Sequence, residues 1–265
     1  MKVSDLLQLI PWLRHGKRSK NTAGTDPISF FGETDVGLKR VNNEDTFLIV
    51  PQKRFCLVAD GMGGEAAGEL ASHIFSETSM EILSGGGEQS TGGIIKQIQN
   101  AFTAANERIL EYARQNPGHN GMGCTAEVLC FSDEGFVVGH VGDSRTYRFR
   151  NQLLEQLTQD HSVVQEQINM GIITPAESKN HPMGSAIVRA VGVESNLSAD
   201  IIEGNTYPGD IFLLCSDGLT DMVMDHEIQK VLSQSYDLSA KAKKLVDIAK
   251  LAGGKDNITV VLSAT

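Results

Sequence analysis

Short apolar runs bounded by polar turns alternate along this chain with longer stretches of helical period. The run TFLIV (Thr46 to Val50) turns through Pro51 to Arg54 and returns as FCLVA, ending at Asp60, which predicts a β-hairpin. Residues 65 to 83 and 94 to 115 each place apolar residues on one helical face, Ala67, Leu70, Ala71 and Ile74 in the first and Ile98, Phe102, Ala105 and Ile109 in the second. The break SGGGEQSTGG separates them. Strand-like runs follow at 124 to 132, 136 to 141, 146 to 150 and 153 to 157, which read as an antiparallel meander. Residues 158 to 186 break that pattern with short helical pieces. One is opened by Thr174-Pro175-Ala176-Glu177, a capping box with Pro at the first helical position, and the insert reads as a flap. Strands resume near 187 to 191, 199 to 203 and 211 to 215, followed by a helix over 239 to 251 stopped by Gly253-Gly254 and a closing strand ITVVLSA. Strand groups separated by helix groups predict an α+β fold of antiparallel sheets flanked by helices, not a βαβ winding.

At 265 residues, 40% hydrophobic and 21% charged, the chain fits one large domain, taken here as residues 27 to 265. Residues 1 to 26 form a separate basic unit. Their first 20 positions hold five cations against Asp5 alone, about +4, while the net charge of the whole is −10. Leu6, Leu7, Leu9, Ile10, Trp12 and Leu13 give this segment the makings of a short amphipathic helix for a membrane surface or a partner groove, with a loose tail as the alternative. The acidic remainder argues against nucleic-acid binding, which needs clustered Lys and Arg. No apolar stretch reaches membrane-spanning length, there is no secretory leader, and the four cysteines lack metal-ligand spacing, so a reducing cytoplasm is expected.

The chemistry lies in acidic residues at the ends of apolar runs: Asp60, Asp143, Asp217 and Asp256. In the first hairpin, Glu44 and Asp45 start one strand and Asp60 ends the next, so antiparallel pairing brings them to one sheet edge. If the closing strand runs antiparallel to IFLLC, Asp256 likewise meets Asp217. Two carboxylate clusters are therefore expected, and close carboxylates repel unless protons or cations intervene. Oxygen ligands favour Mg²⁺ or Mn²⁺ over zinc. A competing motif, Gly61-Met62-Gly63-Gly64-Glu65-Ala66, fits a dinucleotide-binding loop. It fails on context: a second helix follows where a parallel strand is needed, and Asp60 would repel a pyrophosphate.

GLKRVNNED (37 to 45), VADGMGGEAAGELAS (58 to 72), GHVGDSRTY (139 to 147), LLCSDGLTD (213 to 221) and GGKDNITVV (253 to 261) resemble, in order, the motifs of bacterial metal-dependent protein phosphatases of the PP2C (PPM) type. The resemblance spans about residues 30 to 264. It implies a β-sandwich of two antiparallel sheets with helices outside each, and hydrolysis of phosphoserine and phosphothreonine on proteins. By that resemblance Asp60 bridges two catalytic Mn²⁺ or Mg²⁺ ions with the Gly61 carbonyl as a further ligand, and Asp217 and Asp256 bind one of them. Glu44 and Asp45 act mostly through bound waters, Asp143 and Asp217 hold a possible third ion, and Arg40 clamps the substrate phosphate. Two cations about 3.5 to 4 Å apart would then activate a bridging hydroxide for in-line attack.

The resemblance also exposes departures. Eukaryotic relatives carry His where this chain has Met62, which cannot donate a proton, and Glu65 stands where many bacterial members have His. His161 in TQDHS is the nearest candidate for the missing acid. The expected partners are phosphoproteins made by a Ser/Thr kinase, with the chain acting as a monomer. The alternatives are a silent binding or sensor module on the same fold, or a phosphatase dedicated to one regulatory protein.

Overall fold

The computed structural model describes residues 28–64, 67–86, 88–178 and 181–265. The basic segment 1–26 and the Glu65 position lie outside them. Among the described residues, eleven strands form two antiparallel sheets. The first runs β1 (Ser29–Asp35), β11 (Ile258–Ala264), β10 (Ile211–Cys215), β7 (Arg145–Arg150) and β8 (Leu153–Gln156). The second runs β2 (Asp45–Val50), β3 (Phe55–Met62), β5 (Ala126–Phe131), β6 (Phe136–Val141) and β9 (Asp200–Gly204), with the two-residue β4 (Gly123–Cys124) beside β3.

Three apolar layers explain why the central strands β5, β6, β10 and β11 read as apolar runs. Phe212, Leu214, Val261, Val58 and Leu129 pack between the sheets. From the same strands, Leu57 and Ala59 face the helices α1 (Ala67–Ser84) and α2 (Thr91–Gln115), through Phe75, Ile98 and Phe102. On the opposite side Leu213 and Val260 meet α6 (Asp225–Leu232) and α7 (Leu238–Leu251), through Ile228, Leu245 and Ala249. The central strands β5, β10 and β11 are covered on both faces and so need no polar face, while the edge strands β1 and β8 stay partly exposed. The expected helix–sheet–sheet–helix sandwich is what forms.

Side-chain caps close several helix ends. Ser90 and Asp237 cap α2 and α7 by accepting from Gly93 and Ala240 N–H. Within the flap, α3 (Val163–Asn169) precedes α4 (Pro175–Ser178), where Thr174 and Glu177 make the capping box, with Glu177 N–H donating to Thr174 Oγ1 and Glu177 Oε2 accepting from Thr174 N–H. The strands at 136 to 157 are not one meander, however. The chain leaves the second sheet after β6 and enters the first at β7, crossing through Gly142, Asp143 and Ser144. The apolar run 187 to 191 forms no strand and makes only isolated bridges, Ser162 to Ile187 and Cys124 to Val191. Two helices, α5 (Asp217–Thr220) and α6, were not expected from the sequence. All four cysteines are buried and free, and no described helix is long and apolar enough to cross a membrane.

Candidate active site

Strand ends build the site. Asp45 opens β2 opposite Asp60 near the end of β3, so antiparallel register alone puts both carboxylates on one edge. Across the sandwich, Cys215 at the end of β10 pairs with Val260 of β11. Asp217 follows the one strand and Asp256 precedes the other. Asp143 occupies the crossover from β6 to β7. Arg40, Glu44, Asp60, Asp143, Asp217 and Asp256 line one open cleft of about 480 Å³.

The two expected clusters are therefore a single one, because the sheets face each other and hydrogen bonds lace their edges together. Ser216 Oγ donates to Asp45 Oδ2 at 2.8 Å and accepts from Thr259 N–H at 3.1 Å. Gly61 N–H donates to the Glu44 carbonyl at 3.2 Å, and a Cβ on Gly61 would lie 2.1 Å from the Gly68 carbonyl oxygen. Only glycine lets the first turn of α1 approach this strand end so closely.

Burial, then mutual repulsion, dominates the electrostatics. Burial pushes Asp60 well above the usual carboxylate range, and Asp45, Asp217, Asp143 and Asp256 push it further. Asp217 is raised in the same way, by burial and then by Asp143, Asp221, Asp256 and Asp45. Asp45 is pushed up to about 6 by burial, against hydrogen bonds from Thr259 and Ser216, and Asp143 up to about 7 by burial and by Asp160 and Asp221. Asp45 Oδ1 and Asp217 Oδ1 are buried with no hydrogen-bond partner. Among the described residues, no three acidic, histidine or cysteine side chains are drawn tightly around one point. The orphaned oxygens and the crowding of negative charge nevertheless fit an oxygen-ligated divalent cation, which would satisfy both at once.

A pH test follows. Free carboxylates titrate near pH ~4, so between there and the raised values of Asp45 and Asp143 the folded state binds more protons than the unfolded. Chelator-treated protein should therefore lose thermal stability as pH rises from about 5 to 7.5, and added Mn²⁺ should flatten that slope. Melting curves at both pH values check it.

A sequence profile of protein phosphatase 2C matches residues 39–252. The chain belongs to the protein phosphatase 2C family. The serine/threonine phosphatase stp of Listeria innocua is 36% identical over 237 residues, covering 86% of this chain and 92% of the relative. The crystal structure of the Mycobacterium tuberculosis serine/threonine phosphatase PstP/Ppp superposes with a TM-score of 0.84 at 34% identity, over 89% of this chain and 98% of the other. A structure of the PstP catalytic domain in complex with two manganese ions gives 0.81 at 32% identity, over 89% and 97%.

In this protein phosphatase 2C chain, Arg40 stands half-exposed at the rim, its Nη2 donating to Asp256 Oδ2 at 2.7 Å and its Nη1 lying 3.9 Å from Glu44 Oε2. The loop that carries it is held by Asn257. Its Nδ2 donates to the Val36 and Asn42 carbonyls at 3.1 and 2.9 Å, and its Oδ1 accepts from Glu44 N–H at 2.8 Å. An Asn next to an Asp ordinarily bonds within its own turn, whereas these bonds tie Asn257 to the loop at residues 36 to 44. Ser185 and Ile187 from the end of the flap also line the cleft, as does Met62. His161 does not. It is buried behind the crossover, with Nδ1 accepting from Gly142 N–H at 3.0 Å and Nε2 facing Asp200 Oδ2 at 3.3 Å. That placement corrects the expectation that it reaches a leaving group.

Proposed function

We propose that this chain hydrolyses phosphoserine and phosphothreonine on proteins, using divalent cations held by the carboxylate cluster. The observation that carries the reading is the convergence of Asp45, Asp60, Asp143, Asp217 and Asp256 from both sheets, with buried oxygens left unsatisfied, in a member of this family. Asp60, the Gly61 carbonyl, Asp217 and Asp256 would hold two Mn²⁺ or Mg²⁺ ions, with Glu44 and Asp45 reaching them through water and Asp143 with Asp217 supporting a third. Bound there, the ions supply Lewis acidity toward a phosphoryl oxygen and lower the pKa of water.

The chain's own residues do the rest. Arg40 carries a permanent charge on a planar fork suited to two phosphate oxygens, and its present partner Asp256 keeps it at the mouth of the cleft. Asn257 fixes the loop from which it projects. Met62 occupies the cleft where an acid is needed and cannot donate, so the leaving alkoxide takes its proton from water or another group. No cluster carboxylate is replaced by a residue that cannot act as a ligand, which argues against a silent module.

The substrates are phosphoproteins made by a Ser/Thr kinase. On phosphoserine, phosphothreonine and phosphotyrosine peptides of one sequence, with Mn²⁺ present, the first two should be cleaved and the third spared. Preference for phosphotyrosine would refute the assignment. We place residues 1–26 outside the catalytic unit, since they supply no proposed ligand. Deleting them should leave peptide hydrolysis within about twofold and thermal stability nearly unchanged. Sedimentation of the full and shortened proteins with anionic liposomes then reads out the membrane role, with equal sedimentation counting against it.

A further inference from the structure

His161 and Gly142 are clasped twice. His161 N–H donates to the Gly142 carbonyl at 2.7 Å, and Gly142 N–H donates back to His161 Nδ1 at 3.0 Å. Because Nδ1 accepts, the ring proton sits on Nε2, toward Asp200. Burial and then the neighbouring His140 lower His161 to about 4, consistent with a neutral ring. Gly142 has φ of +112°, and a Cβ there would meet Thr125 Cβ at 2.5 Å. Thr125 in turn donates its N–H to the Asp60 carbonyl at 2.9 Å. The next residue after Gly142 is Asp143.

The ring is braced from behind. His140 lies 4.4 Å from it, centroid to centroid, and is fully buried. Its Nδ1 pairs with the equally buried Glu127, which also accepts from Thr146 Oγ1, and its Nε2 bonds the Gln159 carbonyl at 2.9 Å. Glu127 on β5, His140 on β6 and Thr146 on β7 thus join both sheets beneath the crossover. The other side of His161 is the base of the flap. Its carbonyl accepts from Val188 N–H at 2.8 Å, and Val163 N–H bonds the Ala186 carbonyl at 2.9 Å, either side of the cleft residue Ile187.

We propose that His161 is a positioning residue that fastens the base of the flap to the crossover and so sets Asp143 against the rest of the carboxylate cluster. The inference rests on the metal-dependent reading above. It assigns the ring the role of a hydrogen-bond acceptor, not of a proton donor to the leaving group.

Asparagine and glutamine separate these roles. Asn places its Oδ1 where Nδ1 stands and keeps the acceptor for Gly142, whereas Gln reaches toward the Nε2 position and leaves that buried N–H without it. In calorimetric titrations of chelator-stripped, full-length protein with Mn²⁺, H161N should bind within about threefold of wild type and H161Q about tenfold more weakly. Hydrolysis of aryl phosphate and of phosphopeptide should fall together in H161Q and be largely kept in H161N. In an Asp143→Asn background the H161Q penalty on Mn²⁺ binding should disappear. Loss in H161N as severe as in H161Q, with phosphopeptide suffering more than aryl phosphate, would overturn the proposal in favour of a ring-proton role. Unaltered Mn²⁺ binding in H161Q would overturn it too. H161N decides the matter even if H161Q fails to fold, and wild type that binds no Mn²⁺ would instead bring down the metal reading itself.

Discussion

Asp60→Asn should lower turnover of a phosphothreonine peptide by about a thousandfold or more while leaving the protein folded. Asp60 lies opposite Asp45 at the strand edge and feels four other carboxylates, so it is the residue best placed to serve more than one cation. Asn keeps the size and one acceptor oxygen but removes the charge that would bind a cation. The same change removes a buried repulsion in the metal-free protein, which should therefore melt at the same or a higher temperature than wild type. Asp217→Asn should behave alike, since burial and then Asp143, Asp221, Asp256 and Asp45 raise its pKa. Turnover and melting temperature measured on one preparation check both halves. A variant that lost activity and melted far lower would show a structural residue.

Arg40→Ala should cut kcat/KM by about a hundredfold and weaken inhibition by inorganic phosphate. Its guanidinium is half-exposed and paired with Asp256 and, at longer range, Glu44, so its removal leaves no core cavity and stability should change little. Arg40→Lys restores a charge but not the two-pronged donor, and should recover only part of the loss. Steady-state kinetics with phosphate as inhibitor measure this, and unchanged phosphate inhibition in the Ala variant would leave Arg40 as a partner of Asp256 alone.

The site was legible wherever a carboxylate sat at a strand end. Hairpin geometry fixes the Asp45 and Asp60 pair from spacing alone, and the antiparallel partnership of β10 with β11 does the same for Asp217 and Asp256. The fusion of both pairs into one cluster was not legible, because it depends on how two sheets face each other. The change of sheet at Gly142 was hidden for a related reason: FVVGHV and RTYRFR are successive strands joined by a short turn, which reads as one more hairpin, and nothing in either strand marks the sheet it joins. The 187 to 191 run reads as a strand because Ala190 and Val191 are buried, yet their burial is in packing and not in a ladder. Asn257 carries no sequence signal for its role, because an Asn beside an Asp usually bonds its own turn, whereas this one reaches more than two hundred residues back along the chain. His161 was noticed for its chemistry, while its two bonds to Gly142 come from a segment the sequence reading did not bring near it.

If the merged carboxylate cluster works only with divalent cations in place, hydrolysis of a phosphothreonine peptide should follow the metal through chelation and its reversal. Activity should vanish when the protein is stripped with chelator, return on addition of Mn²⁺ or Mg²⁺, and fail to return in Asp60→Asn at the same metal concentration. Turnover by wild-type protein that persists undiminished in excess chelator would contradict the account.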